Sequence, residues 1–319
     1  MSASGSNLQL TFIEEAAWGT TPTTPEMKVL AGITSESLGG NQDAITSNAI
    51  NPNRGTDYMA PGQKNAGGDI SFELGVKGAV ALLARLLGTV NTTGTGPYTH
   101  VMTVGQKPKS LTIEKWLSDI GIGFVFRGCM PNSFNLTVSP DGAATGSINL
   151  LAKNYESTSA VLDATPTAAS HAFADGIRAV VQIGGVTYGD LSTLSMTGTN
   201  NLEVGRGIGS DEATRIAAGK FDITGSFALP VTTERAVPLI TKAVTGAEDS
   251  LKITFNIGAE SVEFFFPRIK YSGDPVPKVG GPGAVNLELN FTALLDNVPA
   301  SGTYQKAIKL TIVSSEASI

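Results

Sequence analysis

The sequence predicts a mainly β protein built as two tandem domains, each a β-sandwich or half-barrel with one flanking α-helix. Three observations carry that expectation. The chain echoes itself in order: Ser71-Phe72-Glu73-Leu74 reads onto Ser226-Phe227-Ala228-Leu229, Ser110-Leu111-Thr112-Ile113 onto Ser250-Leu251-Lys252-Ile253, and Gly142-Ala143-Ala144 onto Gly283-Ala284-Val285. The matches lie between 140 and 158 positions apart, as duplicated domains would place them. Apolar and polar residues alternate in short runs, which is strand periodicity. Finally, 37 glycines stand beside only 7% aromatics, a composition suited to short strands joined by tight turns.

Taken in order, residues 1–7 are small and polar and read as a flexible arm. Leu8, Leu10 and Phe12 alternate as a short strand; a loop with Gly19, Pro22 and Pro25 follows, then a strand from Met27 to Ile33. Gly39 to Gly68 is rich in Asn, Gly, Pro and Gln without periodicity, and a loop of that length is usually functional or disordered. Ile70, Phe72 and Leu74 point one way while Asp69, Ser71 and Glu73 point the other. Val76 to Leu87 carries helical spacing and stops at Gly88. Strands follow at Leu111–Trp116, Gly121–Arg127 with Phe134–Val138, and Ala144–Lys153.

Asn154 to Ser170 lacks periodicity and is rich in Ser, Thr, Ala and Pro, so the domains are expected at 1–156 and 171–319 with a linker at 157–170. In the second half, Thr199–Lys220 occupies the place of the long loop, and Phe221, Ile223, Phe227 and Leu229 repeat the alternation. A helix from Thr233 to Val244 contains Pro238 and should start late or kink there. Strands are expected at Leu251–Ile257, Val262–Tyr271 and Ala284–Leu294, and after a turn at Ser301-Gly302 the strand Ala307–Val313 closes the domain.

Lys plus Arg number 22 against 28 Asp plus Glu, a net charge of −6, which argues against a protein whose main work is gripping nucleic acid. One cysteine, Cys129, excludes an intrachain disulfide and fits cytosolic folding. The first residues have neither the charge nor the apolar run of a signal peptide, and no apolar run approaches the length that spans a bilayer.

Candidate chemistry is thin. His100 and His171 sit near no Cys or paired carboxylate, so no metal site or histidine-based catalysis is expected. Cys129 reads as buried packing. Glu14-Glu15, Asp211-Glu212 and Asp141 read as solvated loop acids, because adjacency does not set two carboxyls across a cleft. Gly205 to Ser210 imitates a phosphate loop without the strand, long helix and Lys such a loop needs. Neither catalytic residue nor cofactor is expected.

The run Glu14-Glu15-Ala16-Ala17-Trp18-Gly19-Thr20-Thr21-Pro22 resembles the opening of the tail tube proteins of long-tailed bacteriophages, in their larger two-domain type. Gly68-Asp69-Ile70-Ser71-Phe72-Glu73-Leu74 is similar to that family's strand before its helix. Gly128-Cys129-Met130-Pro131-Asn132-Ser133 resembles its Gly-Cys-x-x-Asn-Ser segment, and Asn200-Asn201-Leu202 with Ile208-Gly209-Ser210 its second-half elements. The resemblance implies a virion protein, assembled in the host cytoplasm, whose rings stack into a tube around tape measure protein and DNA. Tail terminator and distal tail proteins would meet its ends. Three two-domain chains would supply six ring positions, with a charge of 3 × −6 = −18 per ring. Part of that charge is expected to face the channel, where a wall of like sign lets a polyanion slide.

Gly39–Gly68, together with the N-terminal arm, is expected to bridge rings, with Asn48, Asn51, Asn53, Arg54, Tyr58, Arg206 and Arg215 as candidate inter-ring contacts. The competing reading is a two-domain β-sandwich adhesin or carbohydrate-binding surface protein, which would be expected to show aromatic platforms or acidic calcium loops.

Overall fold

The computed structural model describes residues 2–50, 52, 55–296 and 306–319. Its first half runs β1 (Leu8–Glu14), β2 (Lys28–Val29), β3 (Ile33–Glu36), β4 (Gly39–Thr46), β5 (Met59–Glu73), α1 (Val80–Leu87), β6 (Gly88–Thr93), β7 (Tyr98–Val104), β8 (Leu111–Leu117), β9 (Ile122–Val138), β10 (Thr145–Ala152) and β11 (Asn154–Thr158). The second runs β12 (Ala179–Ile183), β13 (Val186–Tyr188), β14 (Thr193–Thr199), β15 (Glu203–Gly205), β16 (Arg215–Ala217), β17 (Asp222–Pro230), α2 (Ala236–Thr245), β18 (Glu248–Ile257), β19 (Glu260–Ser272), β20 (Asn286–Ala293) and β21 (Lys309–Ser314). The fold is mainly β, with antiparallel ladders and two helices, consistent with a β-sandwich.

The strand pairings repeat. In the first half β1 pairs β2 and β8, β8 pairs β9, β9 pairs β10 and β11, β10 pairs β5, and β5 pairs β3. In the second half β12 pairs β13 and β18, β18 pairs β19, β19 pairs β20 and β21, β20 pairs β17, and β17 pairs β14. The register repeats as well. Thr145 opposes Glu73 in one ladder and Glu288 opposes Ala228 in the other. Glu73 and Ala228 are echo partners, so Ala144 corresponds to Leu287, two residues beyond the Val285 that the glycine match indicates.

β9 organises the first half because it bends between two ladders. Its residues 122–129 lie between β8 and β11, and 133–138 between β10 and β14. Gly128 adopts φ +64° at the bend, a conformation that a side chain disfavours. Among the described residues two ladders join the halves: β14 pairs β9, and β21 pairs β7 as well as β19. Buried residues of both halves form one apolar cluster containing Phe12, Phe72, Phe126, Phe227, Phe266 and Phe291.

Several elements differ from the sequence expectation. Gly39–Gly68 contains a long β-hairpin made by β4 and the start of β5, and among the described residues, 47–50, 52 and 55–58 lie outside its two strands. All eight residues of β4 are exposed, so neither of its faces needed the apolar alternation that reveals a strand. The first helix starts at Val80, with 76–79 in bends and turns. α2 starts at Ala236, placing Pro238 in its first turn, where a missing N–H goes unneeded. The stretch read as an aperiodic bridge begins with strand β11. The hairpin β6–β7, built mainly from Thr, Asn and Gly, gave no periodic signal. β21 does more than close the second half, since it also pairs β7. The turn at Ser301-Gly302 lies outside the described residues.

Candidate functional site

Six neighbouring strand segments build one polar sheet face. Reading across the ladders, Ser71 pairs Ser147, Ser147 pairs Asn135, Asn135 pairs Thr197, Thr197 pairs Thr224, and Thr224 pairs Thr292. The alternate residues of the same strands, Ile70, Phe72, Ile148, Phe134, Leu136, Met196, Ile223, Phe227 and Phe291, are buried. Alternation with period two therefore puts the core on one side and Ser, Thr and Asn on the other. Side chains on the polar side tie to one another: Ser195 and Ser226 share a hydrogen bond of 2.9 Å, and Asn149 Nδ2 donates to Asp69 Oδ1 at 3.0 Å.

The six segments (66–73, 133–138, 145–152, 193–199, 222–230 and 286–293) contain the carboxylates Asp69, Glu73, Asp222 and Glu288 and no Lys or Arg. Glu73 lies 3.1 Å from His171, and Asp222 lies 2.6 Å from Lys220 at the rim. The sequence reading saw the alternation of β5 and β17. It missed that β14, with Thr193, Ser195, Thr197 and Thr199 at alternate positions, completes a continuous face between them.

The β4–β5 hairpin projects beyond this face, and Ile50, Tyr58 and Met59 are exposed toward its far end. Asn48 is exposed beside Tyr58, whose carbonyl accepts from the Ser47 amide at 3.0 Å. Asn51, Asn53 and Arg54 lie outside the described residues. Arg206 and Arg215 sit apart from that end, on the small β15–β16 hairpin that occupies Gly205–Ser210 in place of any phosphate loop. Arg206 donates to Lys64 O at 3.2 Å and to Asn65 Oδ1, so it braces the hairpin shaft. Lys64 and Asp211 pair at 2.7 Å, and that hydrogen bond holds the Asp211 carboxyl below the usual carboxylate range.

The four short segments quoted for the resemblance converge in part. Glu15, buried, accepts from the amides of Gly128 at 2.8 Å and Gly19 at 2.7 Å and from Thr112 Oγ1 at 2.8 Å. Trp18 Nε1 donates to Gly128 O at 3.1 Å. A side chain at Gly128 would meet Trp18 and Lys153 at 2.8 Å. On the next turn of the same bend, Asn200 donates its amide N–H to Asn132 O and its Nδ2 to Pro131 O and Leu86 O, while the Leu202 amide donates to Asn132 Oδ1. Only the joined halves create this contact; nothing in the spacing of 128–133 and 200–202 announces it.

Reactive groups are held in structural roles. Cys129 is fully buried, and burial pushes its thiol well above the ordinary range. His100, also buried, lies 2.8 Å from Thr92 Oγ1 and 2.9 Å from Glu316 O. Glu14 pairs Arg85 and Lys109, and Glu212 accepts from Asn154. Contrary to the solvated reading, Glu15 is a buried anchor of backbone amides. Among the described residues no cluster of His, Cys, Asp and Glu is arranged to hold a metal ion, and no helix is long and apolar enough to cross a membrane.

No curated protein matches the chain. A family model described as phage tail tube protein matches residues 5–293, which takes in every strand named here except β21, and with them the polar face and the projecting hairpin. The chain belongs to the phage tail tube protein family.

Proposed function

We propose that this structural protein of the virion tail forms its tube from rings of three chains, with the two halves, divided at 157–170, as pseudo-equivalent ring positions. The polar face lines the lumen and the β4–β5 hairpin reaches the next ring. Self-assembly into a tube and residence in the tail come with the family; the ring of three and the assignment of faces are our reading.

The observation that carries it is the six-strand face of Ser, Thr and Asn with carboxylates and no cation in its segments. Uncharged hydroxyls and amides offer a passing phosphate no cation to pair with, and scattered carboxylates repel it. Genomic DNA and tape measure protein can then occupy the channel without being held. Tail terminator and distal tail proteins would complete the ends through the same stacking surfaces. Asn48, Asn51, Asn53, Arg54 and Tyr58 are assigned to the ring-to-ring contact, with Arg206 and Arg215 supporting it from the side. The protein performs no catalysis in this reading and binds no cofactor.

Electron microscopy of the purified protein at raised concentration is the direct test. Stacked rings with threefold symmetry and six similar lobes are expected. Rings of six chains would refute the stoichiometry, and monomers at all concentrations would refute the assembly reading.

A further inference from the structure

We propose that the sheet edge at residues 36–39 of one copy pairs antiparallel with the end of β19, residues 271–273, of a second copy, in the register that β14 and β9 show within one chain. The inference rests on the assembly reading above and names the joint through which ring neighbours meet.

The repeat contains one filled junction and one vacant one. In the filled junction β14 pairs β17 on one side and β9 on the other, from Leu194↔Val138 to Thr199↔Ser133. β3 stands where β14 stands. Ile33 opposes Phe72 and Ser35 opposes Ser71, as Leu194 opposes Phe227 and Ser195 opposes Ser226, with one bulged residue between. Yet among the described residues β3 and β4 pair only with β5. The partner side matches too. Tyr271 opposes Phe291 as Phe134 opposes Ile148. Transferring Gly198↔Phe134 gives Leu38↔Tyr271, and Thr197↔Asn135 gives Ser37↔Ser272.

Backbone direction agrees at both edges. The Ser37 amide donates to Asp69 O of β5 at 2.8 Å, so by strand alternation the Leu38 N–H faces away from β5. In the single chain it is capped by Glu36 Oε2 at 2.8 Å, a carboxylate that also pairs Lys115. An edge amide satisfied by its own neighbour's side chain is how an unpaired strand is kept tolerable. On β19, Arg268 O accepts the Leu294 amide on the β20 side, so Tyr271 directs its peptide groups the other way. There β18 has ended, at Glu248↔Lys270. Residues 272–274 beyond it are exposed, and Val276 and Val279 nearby are 65% and 71% exposed. The helices differ in the same sense. Asn200 of the filled junction bonds Leu86 O near the end of α1, which buries seven of its eight residues. α2 buries only Ala236 and Leu239 and leaves Val244 71% exposed.

The occupant is a second copy because the chain itself carries both halves of the joint, and because its own β9–β14 junction is the template.

In the proposed register Ser37 and Ser272 form a non-hydrogen-bonded pair with Cα atoms about 4.5 Å apart, within disulfide reach. The double variant Ser37→Cys/Ser272→Cys is assembled reduced, then oxidised. Covalent oligomers are expected on a non-reducing gel, at least tenfold above those from Ser35→Cys/Ser272→Cys, which is displaced by two residues. The buried Cys129 does not compete. In parallel, amide exchange on wild-type tubes should slow at Leu38 and Tyr271 by about a hundredfold relative to free subunits. Tubes with no excess cross-link over the displaced pair, or with exchange unchanged at both amides, overturn the joint and leave tube assembly standing. Failure of the wild-type chain to form rings or tubes overturns both.

Discussion

Replacing Asn200 separates the contribution of the inter-half joint from that of the surrounding core. Asn200 is 5% exposed, and its Nδ2 donates to Leu86 O at 3.1 Å and Pro131 O at 3.0 Å. The first acceptor lies in the last turn of α1, where a helix leaves carbonyls without partners of its own. Asn200→Ala removes both bonds and leaves two buried acceptors unfilled, while the backbone bond from residue 200 to Asn132 O, 2.7 Å, can stay. At about 0.5–1.5 kcal/mol per bond, plus the cost of stranded acceptors, the loss should reach about 2–3 kcal/mol. That is roughly a 30- to 150-fold fall in the folded-to-unfolded ratio. Asn200→Asp should cost more than Asn200→Ala, because a carboxylate oxygen would then face two carbonyl oxygens in a buried site. Urea unfolding of the dilute subunit measures both through the midpoint at unchanged slope. Losses under about 0.5 kcal/mol for both variants, or an Asp variant as stable as wild type, would refute the reasoning.

Three further outcomes are expected. Burial, outweighing a backbone bond from Leu162 and a side-chain bond from Thr11, raises the Glu114 carboxyl above its ordinary value. A carboxyl raised in the folded state opposes folding once pH exceeds its unfolded value, about 4.3, and costs nothing below it. Glu114→Gln should therefore melt higher than wild type at pH 8, with the gain gone by about pH 4; an equal gain at both pH values would exclude the titration. Asp69→Lys with Glu288→Lys changes each chain by +4, or 3 × 4 = +12 per ring of three, and should leave tubes intact while slowing DNA release at least tenfold. Normal ejection from such tails would remove the polar face from the lumen. Replacing residues 48–57 by a two-residue Asn-Gly turn, which suits a tight hairpin, should give folded subunits and single rings that do not stack. Ordinary tubes from that variant would end the stacking assignment.

Much of the architecture was legible in the chain because half-buried strands advertise themselves. Ile70, Phe72 and Leu74, like Ile223, Phe227 and Leu229, bury alternate side chains, and period two is visible without coordinates. The repeated pairing left its trace in the letters for the same reason: Ser71–Leu74 and Ser226–Leu229 serve the same place in two ladders. The Trp18, Asn132 and Asn200 segments carried the family resemblance before their physical meaning was known. What escaped was structure whose stability comes from partners distant in sequence. β4 buries neither face, so Gly39–Thr46 carried no periodic mark. The β6–β7 hairpin depends on β21, some 200 residues away.

Local alternation and internal repetition are properties of the letters, so a strand-rich chain with repeated segments and a tail-tube likeness is readable without coordinates. Tertiary structure decided which edges are paired and which are open: β14 on β9, Asn200 on Pro131 and Leu86, and β3 with its outer side capped by Glu36. Those outcomes depend on backbone hydrogen bonds between remote strands, and any residue but proline can donate one, so residue identity does not encode them.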